Sequence, residues 1–572
     1  MKLVEIKIEN FRGIRTVHLP LDGLTVLIGE NNSGKSTVLE AIRLVLTRGS
    51  RRGGQFAEYD FHLVDANATP QTALPIKIVL HFAEERENEW PDAIIQQMSE
   101  VVKPDKDGLN HIWLQAEGVF HTDSASFETK WNFLNSSGIE QVLKNMTPHT
   151  LISRFVPLFF LSALRDASQE FGQRGQFWTG FMKSIQLPDD KRREIEEMLQ
   201  EVNTAVIGAN AGLTEVTQKI ADAKRLVPLN STEPVVLEAI PTRVFDMVGK
   251  IQVHMRSKYG AKLPLSRHGE GTQSLAVLML FQAFVAVNLA EAYAPESTPI
   301  LALEEPEAHL HPSAIRSLGS FLESMIGQII VSSHSGDFIS RVPVMSLRRL
   351  YKEDGETRVG RVKSGLFTSR EMQAIDYSIR LTRGHYLFSH CWLLVEGETE
   401  FHLLPLLFEV AGYSQDQVSF SVLEISQVLE KGEPFIKFAK ALGIQWFMIA
   451  DGDSTGDDYI NRARNYLERG ENLVNRAQKL SRPDIEHEFW HNGYDDFITN
   501  MVTTSRQKEI KNRVPGDTVK KTKLLIEAAI KQAGGKPAFA QALATEIRGR
   551  GTTTIPPTIQ GIIDRVIQLV GG

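Results

Sequence analysis

Three groups of residues have types and spacings that could do chemistry. The first is Gly29-Glu-Asn31-Asn32-Ser33-Gly34-Lys35-Ser36-Thr37, a G-x-x-x-x-G-K-[ST] run. Glycines let backbone N–H groups close around phosphates at a helix N-terminus. Lys35 would then reach the β/γ-phosphates, and the Ser36 hydroxyl would ligate Mg²⁺. The run predicts a nucleoside triphosphate site with ATP as cofactor and one metal ion. A second group begins with Ile300-Leu-Ala-Leu-Glu304-Glu305, four apolar residues ending in two acids. At the exit of a central strand Glu304 could hold the Mg²⁺ shell and Glu305 could polarise the attacking water. Ile329-Ile-Val-Ser-Ser-His334 ends another apolar run in a histidine suited to a γ-phosphate contact.

The third group is acidic. Glu396-Gly397-Glu-Thr-Glu400 follows an apolar run, and Asp451-Gly-Asp453 closes another about fifty residues later. Glu396 at a strand end and Glu400 in the first helical turn can converge on one cation, with Gly397 permitting close approach. Asp451 and Asp453, two apart on a strand, point to one face. Four such carboxylates on adjacent strand edges cannot all stay ionised without Mg²⁺ or Mn²⁺. Glu486-His-Glu488 is a further acidic point.

Elements must hold these groups in place. LTVLIG (24–29) reads as a buried strand, VLEAIRLVL (38–46) as a helix, and IKIVLHF (76–82) suggests a sheet continuing past the glycine loop. Strands around 299–307 and 327–335 with a helix between them imply a mostly parallel α/β sheet. A charged stretch, 183–224, has helical spacing and too little apolar density for a central sheet. Residues 348–383 are polar and mixed, a linker with a small β element. A second α/β unit begins at Cys391 with CWLLVEG, a following helix, and the strand WFMIADGD.

Length and composition bound the rest. With 572 residues the chain holds two to four domains, and 42% hydrophobic with 23% charged residues is ordinary for a globular protein. The 63 basic against 70 acidic residues give a net charge of −7. That excludes a uniformly basic nucleic-acid coat and leaves room for a local basic track. Residues 506–550 carry such a bias, eleven Lys/Arg against four Asp/Glu by direct count. The single cysteine, Cys391, excludes an internal disulfide framework and a Cys-cluster zinc site, and fits a reducing, cytoplasmic setting. The opening MKLVEIKIENF alternates like a strand and does not read as a secretory signal. The apolar stretch 275–294 is interrupted by Gln282, Asn288 and Glu291, so a buried helix is expected and no membrane partner.

The P-loop and the acidic strand end resemble the ABC-type ATPase heads of the SMC/RecF class. Ile8-Glu-Asn-Phe11-Arg12-Gly13 is similar to their N-terminal strand and turn, which implies that Arg12 approaches the nucleotide. Ser266-Arg-His-Gly269-Glu-Gly271-Thr-Gln273 falls where their signature motif lies, without an LSGGQ. It implies that Gly269, Gly271 and Gln273 cap a γ-phosphate across a homodimer. No heptad run separates the two motifs, so a long-armed clamp is excluded.

E-G-x-x-E followed by D-x-D resembles a Toprim domain. An ABC head followed by Toprim resembles the OLD (overcoming lysogenisation defect) family of ATPase-nucleases, including the nuclease subunit of Gabija-type phage defence. That resemblance implies an α/β fold: ATPase parts at 1–165 and 236–350, a helical dimerisation insertion at 166–235, a linker at 351–385, and a Toprim nuclease at 386–572 with C-terminal helices. It makes Glu396, Glu400, Asp451 and Asp453 ligands of two metal ions, with Glu486 and Glu488 as further candidates. It also implies a C-terminal lysine near the scissile phosphate, for which Lys536 fits best. The expected activity is ATP-regulated, metal-dependent DNA endonuclease action, with DNA and a homodimer or higher oligomer as partners and a helicase-like or retron partner possible from neighbouring genes. Glu396, Lys536 and Glu305 are the expected catalytic residues. The competing reading is a RecF-like DNA-repair ATPase whose Toprim-like domain binds DNA without cleaving it. A topoisomerase or primase is a third, set back by the lone cysteine and by the little chain left for a cleavage domain.

Overall fold

Alternating burial decides the first sheet. Ile76–Ala83 buries every second residue at first, the pattern of a strand with one covered face. It pairs antiparallel with Lys2–Phe11, with Lys7 opposite Val79, in a sheet ordered Ile14–Pro20, Lys2–Phe11, Ile76–Ala83, Asn110–His121, Ser126–Leu134, Glu140–Gln141. The strand expected to extend the glycine-loop sheet therefore belongs to a separate one. The computed structural model describes residues 1–47, 56–65, 67–122, 126–141, 148–161, 188–222, 238–244, 254–256, 260–308, 310–426 and 432–571.

The glycine loop hangs from the second sheet. Leu24–Ile28 is nearly all apolar and buried, as a central parallel strand must be. Its neighbours are Gln328–Ser332 on one side and Leu347–Glu353 on the other. Ile300–Glu304, Leu158–Leu161 and the antiparallel edge Glu356–Arg361 complete the sheet. Residues 351–385 therefore differ from the linker expected there. They hold the end of a strand paired with Leu24–Ile28, its hairpin partner, and the helix Ser369–Leu381. Two adjacent arginines disguise the strand: Arg348 and Arg349 are both only 2% exposed. Arg348 is neutralised by Asp22 and donates to the Pro20 carbonyl at 2.8 Å.

The third sheet is wholly parallel, in the order Phe420–Glu424, Cys391–Val395, Gln445–Ala450, Ala477–Lys479. One apolar core runs from the second sheet into the third, containing Ile28, Leu303 and Val331 together with Trp392, Leu394 and Met448. The other face of the third sheet is covered by Glu398–Val410 and by C-terminal helices that include Lys536–Arg550. The α/β class expected from the alternating strands and helices is the class observed.

The charged stretch forms two helices, Asp189–Gly208 and Ala211–Asp222. Residues 166–187 and 223–235 of the expected insertion lie outside the described residues. The apolar stretch expected to be a buried helix lies in Glu270–Ala292, with Val277, Leu278 and Phe281 buried. No helix among the described residues is long and apolar enough to cross a membrane.

Candidate functional site

In parallel α/β sheets ligands bind outside the carboxyl ends of the strands, and both parallel sheets place the chemistry-bearing residues there. In the second sheet, the loop after Leu24–Ile28 begins with Gly29 at φ +139°, where an added Cβ would lie 2.1 Å from the Leu350 carbonyl oxygen. Only glycine allows the chain to leave the sheet so close to its neighbour. The helix Lys35–Leu46 starts at Gly34, with Lys35 buried and Ser36 exposed in its first turn. Lys35 Nζ donates to the Gly29 and Glu30 carbonyls at 2.9 and 2.6 Å. Burial pulls Lys35 down to about 8, opposed by the negative charges of Glu305 and Glu30. Asn31 and Asn32 are exposed on the loop, while Ser33 is buried and Thr37 half-buried.

Glu304 ends its strand half-buried, and Glu305 follows in the left-handed region at φ +46°. His334 Nε2 lies 3.5 Å from Glu305 Oε1, so Lys35, Glu305 and His334 meet at one edge. Burial and the Lys35 charge lower the His334 pKa, and Glu305 opposes them. The sequence reading missed Glu307. Its Oε1 accepts from Ser333 Oγ (2.6 Å), His334 N–H (2.9 Å) and Ser335 N–H (3.2 Å), fixing the turn that carries His334. The only signal was a third carboxylate in the run EEPE.

Arg12 stands at the side of the P-loop helix. Its Nε bonds Asp60 Oδ1 at 2.9 Å, and Nη2 lies 3.5 Å from Glu40, a residue of that helix. Gly269 directly precedes the helix Glu270–Ala292, and Gly271 and Gln273 lie in its first turn. Gln273 Nε2 donates to the His268 carbonyl at 2.6 Å.

In the third sheet Val395 pairs with Ile449, so Glu396 and Asp451 leave adjacent strands within reach of each other. Glu396 Oε2 accepts the Asp451 N–H at 3.2 Å. A Cβ on Gly397 would lie 2.3 Å from Glu400 Oε2, so the absent side chain is the space the carboxylate fills. Glu400 is only 3% exposed. Burial pushes it well above the ordinary carboxylate range, helped by Asp451 and Glu486, with Lys536 pulling the other way. Asp451 is raised to about 7 by burial, then by Glu396, Asp484, Glu486 and Asp453. Tyr459, under the same edge, is pushed up to about 12 by burial and by the charges of Glu396 and Asp451. Asp453 caps the next helix, accepting from Gly456 N–H at 2.9 Å.

Glu486 joins this cluster and Glu488 does not. They are two apart on the helix Ile485–Phe489, where successive side chains turn by about 100° and residues i and i+2 face nearly opposite ways. Glu486 Oε1 accepts from Thr399 Oγ1 at 2.5 Å. Burial and Asp484 raise its pKa against Thr399 and Lys536. Glu488, expected beside it as a ligand, instead accepts from Ser481 Oγ (3.0 and 2.7 Å) and Thr558 Oγ1 (2.9 Å). Asp484, absent from the sequence reading, caps the same helix and receives both the His487 N–H (2.7 Å) and His487 Nδ1 (2.6 Å). Burial pushes Asp484 up, but the bonds from His487 prevail and hold it below its usual range. An Asp three residues before a histidine at a helix start was the available signal.

Lys536 opens the helix Lys536–Arg550, which packs along Glu398–Val410 with both N-termini at the same end. Lys536 faces Glu400 and Glu486 there, while Arg548 lies 3.5 Å from Glu409 toward the other end. Lys523, on Thr518–Ala533, adds positive charge near His487.

Among the described residues no three Asp, Glu, His or Cys side chains stand ready to hold a metal ion. The donor chemistry still fits a hard divalent cation: it is all carboxylate, and Asp451 Oδ1 is buried without a hydrogen-bond partner.

Residues 1–385 match the family described as a protein of unknown function, DUF2813. Residues 387–453, which include Glu396, Glu400, Asp451 and Asp453, match the TOPRIM domain described as overcoming lysogenization defect protein-like. The chain is 25% identical to the uncharacterized protein YbjD of Escherichia coli (strain K12), covering 100% of both chains. It is 24% identical to the Old nuclease of Escherichia phage P2, over 82% of this chain and 80% of that one. It is also 24% identical to the endonuclease GajA of Bacillus cereus (strain VD045), over 72% of this chain and 67% of the other. The OLD resemblance drawn from the two motif sets therefore holds over the assembled chain.

Proposed function

From a chain that belongs to the DUF2813 family and carries an OLD-like Toprim segment, we propose an ATP-regulated, divalent-metal-dependent DNA endonuclease. Residues 1–165 and 236–350 form its ATPase, and 386–572 its nuclease. The reading rests on one observation above all. Asp451 at a strand end and the buried Glu400 and Glu486 at two helix starts raise one another's pKa, with the Lys536 charge pulling Glu400 and Glu486 the other way. Such a group is unstable against protonation unless a cation enters.

Glu396, Glu400, Asp451 and Asp453, with Glu486, hold the ions. Bound there, Mg²⁺ or Mn²⁺ activates water and stabilises the leaving oxygen of an in-line displacement. Thr399 and the Asp484–His487 pair orient Glu486. Lys536 sets a positive charge beside the phosphate, where negative charge develops during attack. The basic segment 506–550 supplies a track for the DNA backbone, as the cations at Lys523 and Lys536 beside the acidic edge favour.

At the other edge Lys35 and Ser36 hold the triphosphate and its metal, Glu305 orients the attacking water, and His334 contacts the γ-phosphate. Gly269, Gly271 and Gln273 complete that site from a second copy of the chain, so the working unit is a homodimer. The deciding experiment is plasmid nicking in Mg²⁺ or Mn²⁺ by the wild type and by Glu400→Ala. Cleavage lost in the variant supports the assignment; equal cleavage by both overturns it.

A further inference from the structure

The nucleotide edge and the acidic edge lie on different sheets, yet one short segment touches the first and leads into the second. Residues 385–390 run directly into the strand Cys391–Val395, whose end carries Glu396. The His390 ring hydrogen-bonds the carboxylate of Glu30, the second residue of the P-loop. Phe388 stacks on His334, with ring centroids 6.5 Å apart and planes within 20°. Two separate nucleotide-facing elements thus bear on residues two positions apart.

The surroundings make the contacts stiff. Arg349, on the strand beside the P-loop strand, is buried and feels the charge of Glu30. Its Nη2 donates to the Ser389 carbonyl at 3.2 Å, and Nη1 to the Gly443 and Leu442 carbonyls at 3.0 and 3.4 Å. Trp392 Nε1 donates to the Tyr386 carbonyl at 2.7 Å. His390 itself starts the sheet: its N–H bonds the Ser419 carbonyl and its carbonyl accepts from Gln445 N–H, at 2.7 and 2.8 Å. A shift at His390 is therefore a shift of all three strand starts. Glu396 lies six residue steps of extended chain further on, about 20 Å.

Glu30 is also the loop residue whose surroundings a triphosphate changes. Its carbonyl accepts from Lys35 Nζ, and a lysine drawn to a phosphate must give that bond up.

We propose that His390 and Phe388 are positioning residues that carry the state of the P-loop and the His334 turn into the strand bearing Glu396. This rests on the reading of the chain as an ATP-regulated nuclease. It adds the residues through which regulation passes. The coupling is an equilibrium effect and is bounded by what one side-chain hydrogen bond and one ring contact can supply, on the order of fivefold.

The test uses the full chain with His390→Ala, His390→Gln and Phe388→Ala, assayed for plasmid cleavage with and without ATP and for ATP hydrolysis. The expected result is a ratio of the two cleavage rates that moves toward one by about fivefold in the alanine variants and is restored in His390→Gln, which keeps a hydrogen-bond donor. ATP hydrolysis stays within about twofold. A merely structural role would scale both cleavage rates together, and an unchanged ratio or equal losses overturns the proposal. Amide exchange of 391–396 is measured with and without a non-hydrolysable ATP analogue as a second readout. If the wild type does not cleave, or ignores ATP, the nuclease reading fails and this readout decides the coupling alone. Nucleotide-induced change in the wild type that is lost in His390→Ala supports it; no change in the wild type overturns it.

Discussion

The two carboxyl edges are opposites in charge and in construction. At the P-loop a single lysine is buried, and its pKa falls to about 8 because burial penalises the charged form. At the Toprim edge carboxylates are buried together, and Glu400 and Asp451 rise for the same reason compounded by mutual repulsion. Under the proposed function each edge would be stabilised by a ligand of opposite sign, a polyphosphate at the first and a cation at the second. One rule of strand topology makes both sites, and the residues at the strand ends select the chemistry.

The strongest way to break that comparison is to disable one edge at a time. Glu400→Gln should lower metal-dependent cleavage by on the order of a thousandfold while leaving ATP binding intact. Lys35→Ala should abolish nucleotide binding and leave the metal site assembled, as read by Mn²⁺ binding. If Lys35→Ala also abolishes Mn²⁺ binding, or Glu400→Gln also abolishes ATP binding, while the protein stays folded, the edges are not separate sites. Lys536→Ala tests the cation whose charge acts on both Glu400 and Glu486. Cleavage should fall about a hundredfold with little change in DNA affinity, the signature of a group acting on developing charge.

A smaller effect distinguishes Glu486 from Glu488. Glu488→Ala removes the carboxylate that exposed Ser481 and half-buried Thr558 bond and should cost about 1 kcal/mol in thermal unfolding. Cleavage per folded molecule should be unchanged, whereas Glu486→Ala should lose cleavage. Equal loss of cleavage in both would return Glu488 to the metal site. The smallest effect lies far from either edge. His81, hydrogen-bonded to His111 at 2.9 Å, is held down to about 4 by burial and by the His111 charge. The unfolded chain binds a proton at His81 near pH 6.5 while the folded chain resists it. That contribution to stability is thus complete above pH 6.5 and is lost as pH falls toward 4. With partial exposure allowed for, about 1–2 kcal/mol should vanish between pH 7 and 4, and His81→Gln should flatten the melting-temperature profile there. This separates acid damage to the fold from acid effects on the acidic edge.

Legibility follows contiguity. The P-loop could be read because its phosphate-binding groups are backbone N–H groups of consecutive residues, so spacing alone describes the site. At the acidic edge Glu396, Glu400, Asp451 and Asp453 were named from short motifs that follow apolar strands, and Glu486 from a further acidic pair. Asp484 was missed because a helix cap looks like local punctuation. Glu488 was included because two acids in a row of three carry no phase until the helix is known. The strand Leu347–Glu353 was hidden for a different reason. Buried Arg348 and Arg349 bond carbonyls and an aspartate from distant segments, which no local pattern reveals.

By itself the sequence determined the α/β class, a triphosphate loop, and an acidic motif set in the right order, because these depend on local period and on residues close along the chain. Tertiary structure alone decided that the Lys536 charge acts on Glu400, 136 residues earlier in the chain, that Glu488 turns away, and that His390 pairs with Glu30. Those outcomes depend on helix phase and on which distant segments share a buried, low-dielectric space, where charges shift one another strongly.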